Sequence, residues 1–245
     1  MRLTRVFVDA ALAPGTTVTL PDAANGHLLR VLRLDVGDAC VLFNGDGRDY
    51  DARIAGAGKR NASVEVLSAR ELANESPLRI VLLQALARGE KMDWIVQKAT
   101  ELGVAGLVPV ASERGEVKLD GERADKRTAH WRSVAIAACE QSGRARVPDI
   151  AAPQPLAKAL GALPPQACRL VLDLEAETSI ATLQLGARKD VVVAIGPEGG
   201  WSAGDLALLR GAGFAGLRLG PRVLRTETAG LAAIAALQAR FGDFV

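Results

Sequence analysis

The rhythm of apolar positions changes about a third of the way along the chain. From Arg5 to about Leu72 they come in short, alternating, turn-separated runs: Val6–Val8, Val18–Leu20, Ala39–Phe43, Tyr50–Ile54 and Ala62–Leu67. Alternation with period two predicts strands with one buried face, and several at close spacing predict a small barrel or sandwich. Asn44-Gly45-Asp46-Gly47 reads as a turn between two of them, since glycine and asparagine accept the positive φ that tight turns need. Asp22–Leu34 is the exception: Leu28, Leu29 and Leu32 fall on one side of a short helix.

Asn74-Glu75-Ser76-Pro77 reads as a linker, its proline forcing an extended entry into the next strand. We therefore expect two domains, residues 1–73 and residues 74–245. In the second, apolar strands alternate with longer helices, which predicts a parallel sheet. Leu78–Leu86, Gly106–Val110, Arg169–Leu174, Val191–Ile195 and Gly216–Gly220 are the predicted strands. Met92–Leu102 buries Ile95, Val96, Ala99 and Leu102 and stops at Gly103; Glu122–Gln141 turns Trp131, Val134, Ala135 and Ala138 inward. Ser202 and Asp205 have the spacing of a capping box opening a helix to about Arg210. Thr226 is the expected cap of a last helix running to Arg240.

Composition narrows the function. A chain of 245 residues that is 49 % hydrophobic can fill a large core, but a net charge of +2 leaves any polyanion site to local patches. Cys40, Cys139 and Cys168 are far apart, which predicts reduced thiols in a cytoplasmic protein. Two histidines and no CxxC argue against a metal site. Neither a signal peptide nor an apolar run long enough to span a membrane is legible.

Candidate chemistry gathers at two glycine-marked bends, each leaving a strand and opening a helix. The first is Gly196-Pro197-Glu198-Gly199-Gly200, after Val191–Ile195. The second is Leu219-Gly220-Pro221-Arg222-Val223-Leu224-Arg225-Thr226. Strand ends of an open α/β sheet bind small ligands because backbone N–H and C=O groups emerge there unpaired. Leu219, Val223 and Leu224 suit an apolar slot for an adenine ring, and Arg222 and Arg225 add positive charge. Gly211-Ala212-Gly213-Phe214-Ala215-Gly216 matches the dinucleotide fingerprint in letters only, since it comes after a helix and leads into a strand. Gly56-Ala57-Gly58-Lys59 lacks the rest of a phosphate loop and reads as a turn.

Five segments in order resemble the RsmE family: Ala87–Val104, Glu113–Arg127, Ala137–Pro148, Ile195–Ser202 and Leu219–Ala229. Arg5-Val6-Phe7, His27–Arg33 and Phe241-Gly242-Asp243 extend the likeness over essentially the whole chain. Gly115 departs from it, standing where similar sequences often carry Cys or Ser. The resemblance implies a SPOUT-type α/β fold: a parallel sheet with a C-terminal trefoil knot, preceded by a small PUA-like β-barrel. It also implies an S-adenosylmethionine-dependent methyltransferase acting on N3 of a uridine in bacterial 16S ribosomal RNA. Its expected partners are that RNA or the assembled small ribosomal subunit and a second copy in a homodimer, with no membrane and no metal. Carried over, the expected cofactor contacts are Leu172, Ile195, Gly196, Pro197, Glu198, Gly200, Leu219, Gly220, Val223, Leu224 and Thr226.

Uracil N3 is a poor nucleophile until its proton leaves, so a cation near the developing anion would help catalysis. Arg225, at the edge of the second bend, is the candidate; Glu198 or Glu227 would accept the proton or orient the groups that do. RNA contacts are expected from Arg5, Arg30, Arg33, Arg114, Lys118, Arg123, Arg127 and Arg144, with Lys126 and Arg146 nearby. A non-catalytic RNA-binding protein is the rival reading, and it predicts no affinity for S-adenosylmethionine.

Overall fold

Runs of β-branched and aliphatic residues form strands here because their side chains pack well on a pleated surface. The computed structural model describes residues 3–31, 33–58, 62–117 and 121–244. Its contacts divide the chain into two units, residues 1–75 with 139–147 and residues 76–138 with 148–245.

The first unit is a five-stranded sheet of β1 (Arg5–Phe7), β2 (Thr17–Thr19), β3 (Ala39–Phe43), β4 (Arg48–Ala57) and β5 (Ala62–Glu71). Their order is β1-β3-β4-β5-β2; β1 runs parallel to β3 and the other pairs are antiparallel. Alternate residues such as Leu42, Ala52, Val64 and Val66 build the core with Val6, Val8 and Leu28. The predicted helix at 22–34 is split: α1 covers Asp22–Asn25, and a π-helical stretch continues through Gly26–Val31. Gly26 at the junction weakens a regular helix.

A second cluster closes this unit from outside the sheet. Phe43, Cys139 and Ala145 are buried together, with Phe7, Leu72 and Val147 against them. Phe7 meets Phe43 edge-on at 5.5 Å between ring centroids. Hydrogen bonds tie residues 139–147 to the strands and their flanks, among them Phe7 N to Glu140, 3.0 Å; Asn74 Nδ2 to Gly143 O, 2.8 Å; and Gly47 N to Ala145 O, 3.2 Å.

The second unit is a parallel sheet of β6 (Arg79–Ala85), β7 (Gly106–Ala111), β8 (Asp149–Ile150), β10 (Cys168–Leu172), β11 (Asp190–Ile195) and β12 (Ala215–Leu217). The order is β12-β10-β11-β6-β7-β8, and the short β9 (Gln154–Pro155) also pairs with β7. Val191–Ile195 are buried throughout because β11 has strands on both sides and helices on both faces. Val192 and Ala194 share a core with α4 (Leu156–Gly161) and α5 (Ala203–Gly211). The opposite face receives α6 (Thr226–Phe241), which also packs on α2 (Lys91–Glu101). The long α3 (Gly121–Ser142) buries Trp131, Ala135 and Ala138 as its spacing predicts, while Val134 is only half-buried.

Two elements depart from the pattern. The predicted strand at 216–220 shrinks to Ala215–Leu217, and Arg218 leaves the ladder to bond Thr178 O at 2.8 Å. Helix α4 falls in a Pro/Ala-rich connection and is too short to show a period. Sequence order reverses on either side of β6, whose neighbours are β7 and β11. Such a reversal opens a crevice at the carboxyl ends of the strands.

Candidate active site

The bends after β11 and β12 close on one cavity of about 400 Å³, of the size small ligands occupy. The end of β10 supplies another wall with Leu172, Asp173 and Leu174. All the residues expected to contact a cofactor, from Leu172 and Ile195 to Leu224 and Thr226, line it, and so does Arg225. Ala194, Trp201, Leu217, Arg222 and Ala229 line it as well. Each lies within three positions of a predicted residue, so proximity was the available signal.

The first bend is held from several sides. A Cβ on Gly196 would sit 3.1 Å from Trp201 N, so a side chain there would push the returning backbone outward by a few tenths of an ångström. Gly200 takes φ +68° and closes a turn onto Pro197 O at 2.9 Å. Arg114 Nη1 donates to Gly199 O at 3.2 Å. The capping box at Ser202 is formed in both directions, and Asp205, 2 % exposed, also accepts from Glu113 N at 3.2 Å.

Thr226 does not cap α6 as expected. Arg225 occupies the cap position, and the Thr226 hydroxyl instead donates to Gly196 O at 2.7 Å while accepting from Gln84 Nε2 at 3.0 Å. A cap accepts from the backbone N–H groups of its own helix; this hydroxyl joins β6, the first bend and α6.

Glu198 Oε1 accepts from Lys91 Nζ at 2.9 Å and from Arg88 N at 3.1 Å. Partial desolvation would raise its pKa, but the Lys91 hydrogen bond, the backbone donors and the Lys91 charge outweigh it and hold the carboxyl below the usual range. The same hydrogen bond is the foremost reason the Lys91 pKa is raised. Lys91 Nζ also lies 3.5 Å from Glu227 Oε2. Of the two roles expected for Glu198, orienting its neighbours fits this arrangement, because a carboxylate held charged is a weak base. Sequence reasoning missed Lys91, although it lies in a segment that carries the resemblance.

The side chains of Arg222 and Arg225 stand exposed at the cavity with no ion pair or hydrogen bond among the described residues, while the Arg225 carbonyl accepts from Thr228 N and Ala229 N at 2.9 and 2.8 Å. Of the residues expected to meet RNA, Arg33, Arg114, Arg123 and Arg127 are exposed. Lys118 and the Arg30 side chain lie outside the described residues. Arg5 and Arg144 are corrected: they are only 8 % and 6 % exposed. Arg5 pairs with Asp49 and donates to Arg144 O at 3.0 Å, while Arg144 grips both oxygens of Glu75 at 3.1 and 2.6 Å. A buried, paired guanidinium is committed to the fold and unavailable to phosphates. Among the described residues, no group of three or more His, Cys, Asp or Glu is placed to hold a metal ion. Nor is any helix there long and apolar enough to cross a membrane.

Comparison with known proteins agrees with this geometry. Residues 74–238 match an RNA methyltransferase domain family and residues 20–67 an RNA methyltransferase PUA domain. The ribosomal RNA small subunit methyltransferase E of Buchnera aphidicola is 31 % identical over 242 residues, 99 % of this chain and 98 % of the relative. Its Bacillus subtilis counterpart is 30 % identical over 220 residues, 86 % and 85 % of the two chains. Among solved structures, the Neisseria gonorrhoeae methyltransferase E bound to S-adenosyl methionine superposes with a TM-score of 0.92 at 39 % identity, covering 100 % of both chains. A putative methyltransferase from Legionella pneumophila, in complex with the same cofactor, gives 0.93 at 38 % identity, covering 99 % of this chain and 100 % of that one.

Proposed function

The chain belongs to the ribosomal RNA small subunit methyltransferase E family of RNA methyltransferases; from that premise we propose that it methylates N3 of a uridine in 16S ribosomal RNA, using S-adenosylmethionine. The observation that carries this reading is the cavity of about 400 Å³, walled by residues at three strand ends.

The wall suits that cofactor. Leu172, Leu219, Val223 and Leu224 offer an apolar slot for a flat ring, and the bends present main-chain groups to its edge. When bound, S-adenosylmethionine supplies an electrophilic methyl group on a sulfonium. The residues around it have to align donor and acceptor and keep water out, because in-line displacement gains most from position. Arg225, exposed beside the cavity and unpaired among the described residues, is placed to stabilise negative charge on a deprotonated uracil. N3 lies on the pairing edge, so the base must be unpaired or extruded when it reacts. Arg33, Arg114, Arg123 and Arg127 remain available for phosphate contacts, and binding through them weakens with salt.

Three further features belong to this reading. The C-terminal chain is proposed to form a trefoil knot, a reading that rests on the family; the hydrogen bonds from Arg240 on α6 to Ala181 O and Leu183 O keep that helix against the 173–189 loop. The protein is a homodimer, for which Val223, 83 % exposed, and Leu174 leave apolar surface beside the cavity. It works in the cytoplasm, where small ribosomal subunits are.

The test is to incubate purified protein with radiolabelled S-adenosylmethionine and small subunits from cells lacking it, then map the modified base by mass spectrometry. One N3-methyluridine in 16S RNA is the expected result. Label on another base or another atom would overturn the assignment.

A further inference from the structure

We infer that Lys91 is a positioning residue that fastens the two cofactor bends to each other, so that the cavity is ordered before any ligand arrives. This rests on the methyltransferase reading above and concerns how that site is held.

The bends come from separate parts of the chain. Glu198 sits in the first, after β11, and Glu227 in the first turn of α6, directly after the second. Lys91 opens α2, a third segment, and its ammonium reaches both carboxylates, at 2.9 Å and 3.5 Å. Glu198 is further anchored by Arg88 N, so the strap also grips the loop that leaves β6.

Helix energetics do not explain a lysine at this place. A cation in the first turn opposes the helix macrodipole, whereas Asp93 in the same turn and Glu227 in the first turn of α6 agree with it. Nor is the pair a strong source of global stability: the three side chains are between 23 % and 33 % exposed, where ion pairs contribute little. What the contact does supply is restraint. The first bend is rich in glycine, and the second has no backbone hydrogen bond between residues 219 and 224 among the described residues. Without Lys91 the first bend keeps its bonds to Arg114 and Thr226, but the second would have more of its order to gain from the ligand, and ordering on binding subtracts from affinity.

The experiment is calorimetric titration of S-adenosylmethionine into full-length wild type, Lys91→Ala, Lys91→Arg, Glu227→Gln and the Lys91→Ala/Glu227→Gln double variant, with ligand-free melting curves. Lys91→Ala should weaken cofactor binding by about tenfold while the ligand-free melting temperature stays nearly unchanged. Lys91→Arg should recover most of the affinity, and the double variant should lose little more than Lys91→Ala alone, as expected for one shared contact. Unchanged affinity in Lys91→Ala, or strictly additive losses in the double variant, would overturn the inference. Should Lys91→Ala fail to fold, Glu227→Gln carries the test, with an affinity loss at constant melting temperature as the supporting result and wild-type affinity as the refuting one. Wild type that takes up no S-adenosylmethionine would instead sink the methyltransferase reading.

Discussion

Replacing Thr226 with valine removes one oxygen and keeps the side chain's shape, so its effect can be worked out from the contacts. Two hydrogen bonds go: the one to Gly196 O at 2.7 Å and the one from Gln84 Nε2 at 3.0 Å. Gln84 is fully buried, and its amide keeps only Ala85 O as acceptor, so one N–H is left without a partner. An orphaned buried donor costs about 1–3 kcal/mol; Gly196 O, half-buried, can turn to water and costs less. We therefore expect a loss of about 2 kcal/mol in the second unit, a fall of roughly 4–8 °C in melting temperature for a chain of this length. Cofactor affinity should fall too, because the lost hydroxyl joins the two bends. Thr226→Ser restores the oxygen and should restore both. Differential scanning fluorimetry with and without S-adenosylmethionine reads the outcome. A valine variant melting within about 1 °C of wild type, with wild-type affinity, would refute the reasoning.

Other side chains carry expectations of their own. Arg225→Ala should reduce turnover far more than S-adenosylmethionine binding, since the guanidinium is exposed and unpaired among the described residues; equal losses would count against its role. Arg144→Ala should lower stability by about 3 kcal/mol, leaving Glu75 without its partner, with no change in the salt dependence of RNA binding. Arg127→Ala should do the reverse, sparing stability and lowering the salt slope by about 1, as filter binding across a salt series would show. Burial pushes the Cys40 and Cys139 thiols up to about 11 and about 12, so both should resist a thiol reagent at pH 8 while half-buried Cys168 reacts. Rapid labelling of all three in native protein would contradict that placement.

Legibility in the sequence divides along physical lines. Val191–Ile195 and Leu78–Leu86 can be read because a strand buried on both faces must be apolar throughout. The bends can be read because glycine and proline mark chain reversals, and their cavity is lined by residues adjacent in sequence. Thr226 does stand at a helix start, but its partner is not the one a cap would have, since capping is a local rule and Gly196 is brought to it by the fold. Arg5 and Arg144 mislead for a related reason: an arginine looks the same in sequence whether it faces solvent or grips a buried carboxylate. Lys91 stays silent because its two partners, Glu198 and Glu227, lie more than a hundred residues further on.

The return of residues 139–147 has a consequence for how the molecule is made. A ribosome that has released only the first 75 residues has released five strands whose Phe43 and Phe7 still lack their cover. Arg5 has likewise not met the carbonyl it will bond. The leading unit must wait for almost twice that length of polypeptide to emerge before it can close. A fragment trimmed at the linker would stay sticky and poorly folded, whereas supplying residues 139–147 as a separate peptide should rescue it.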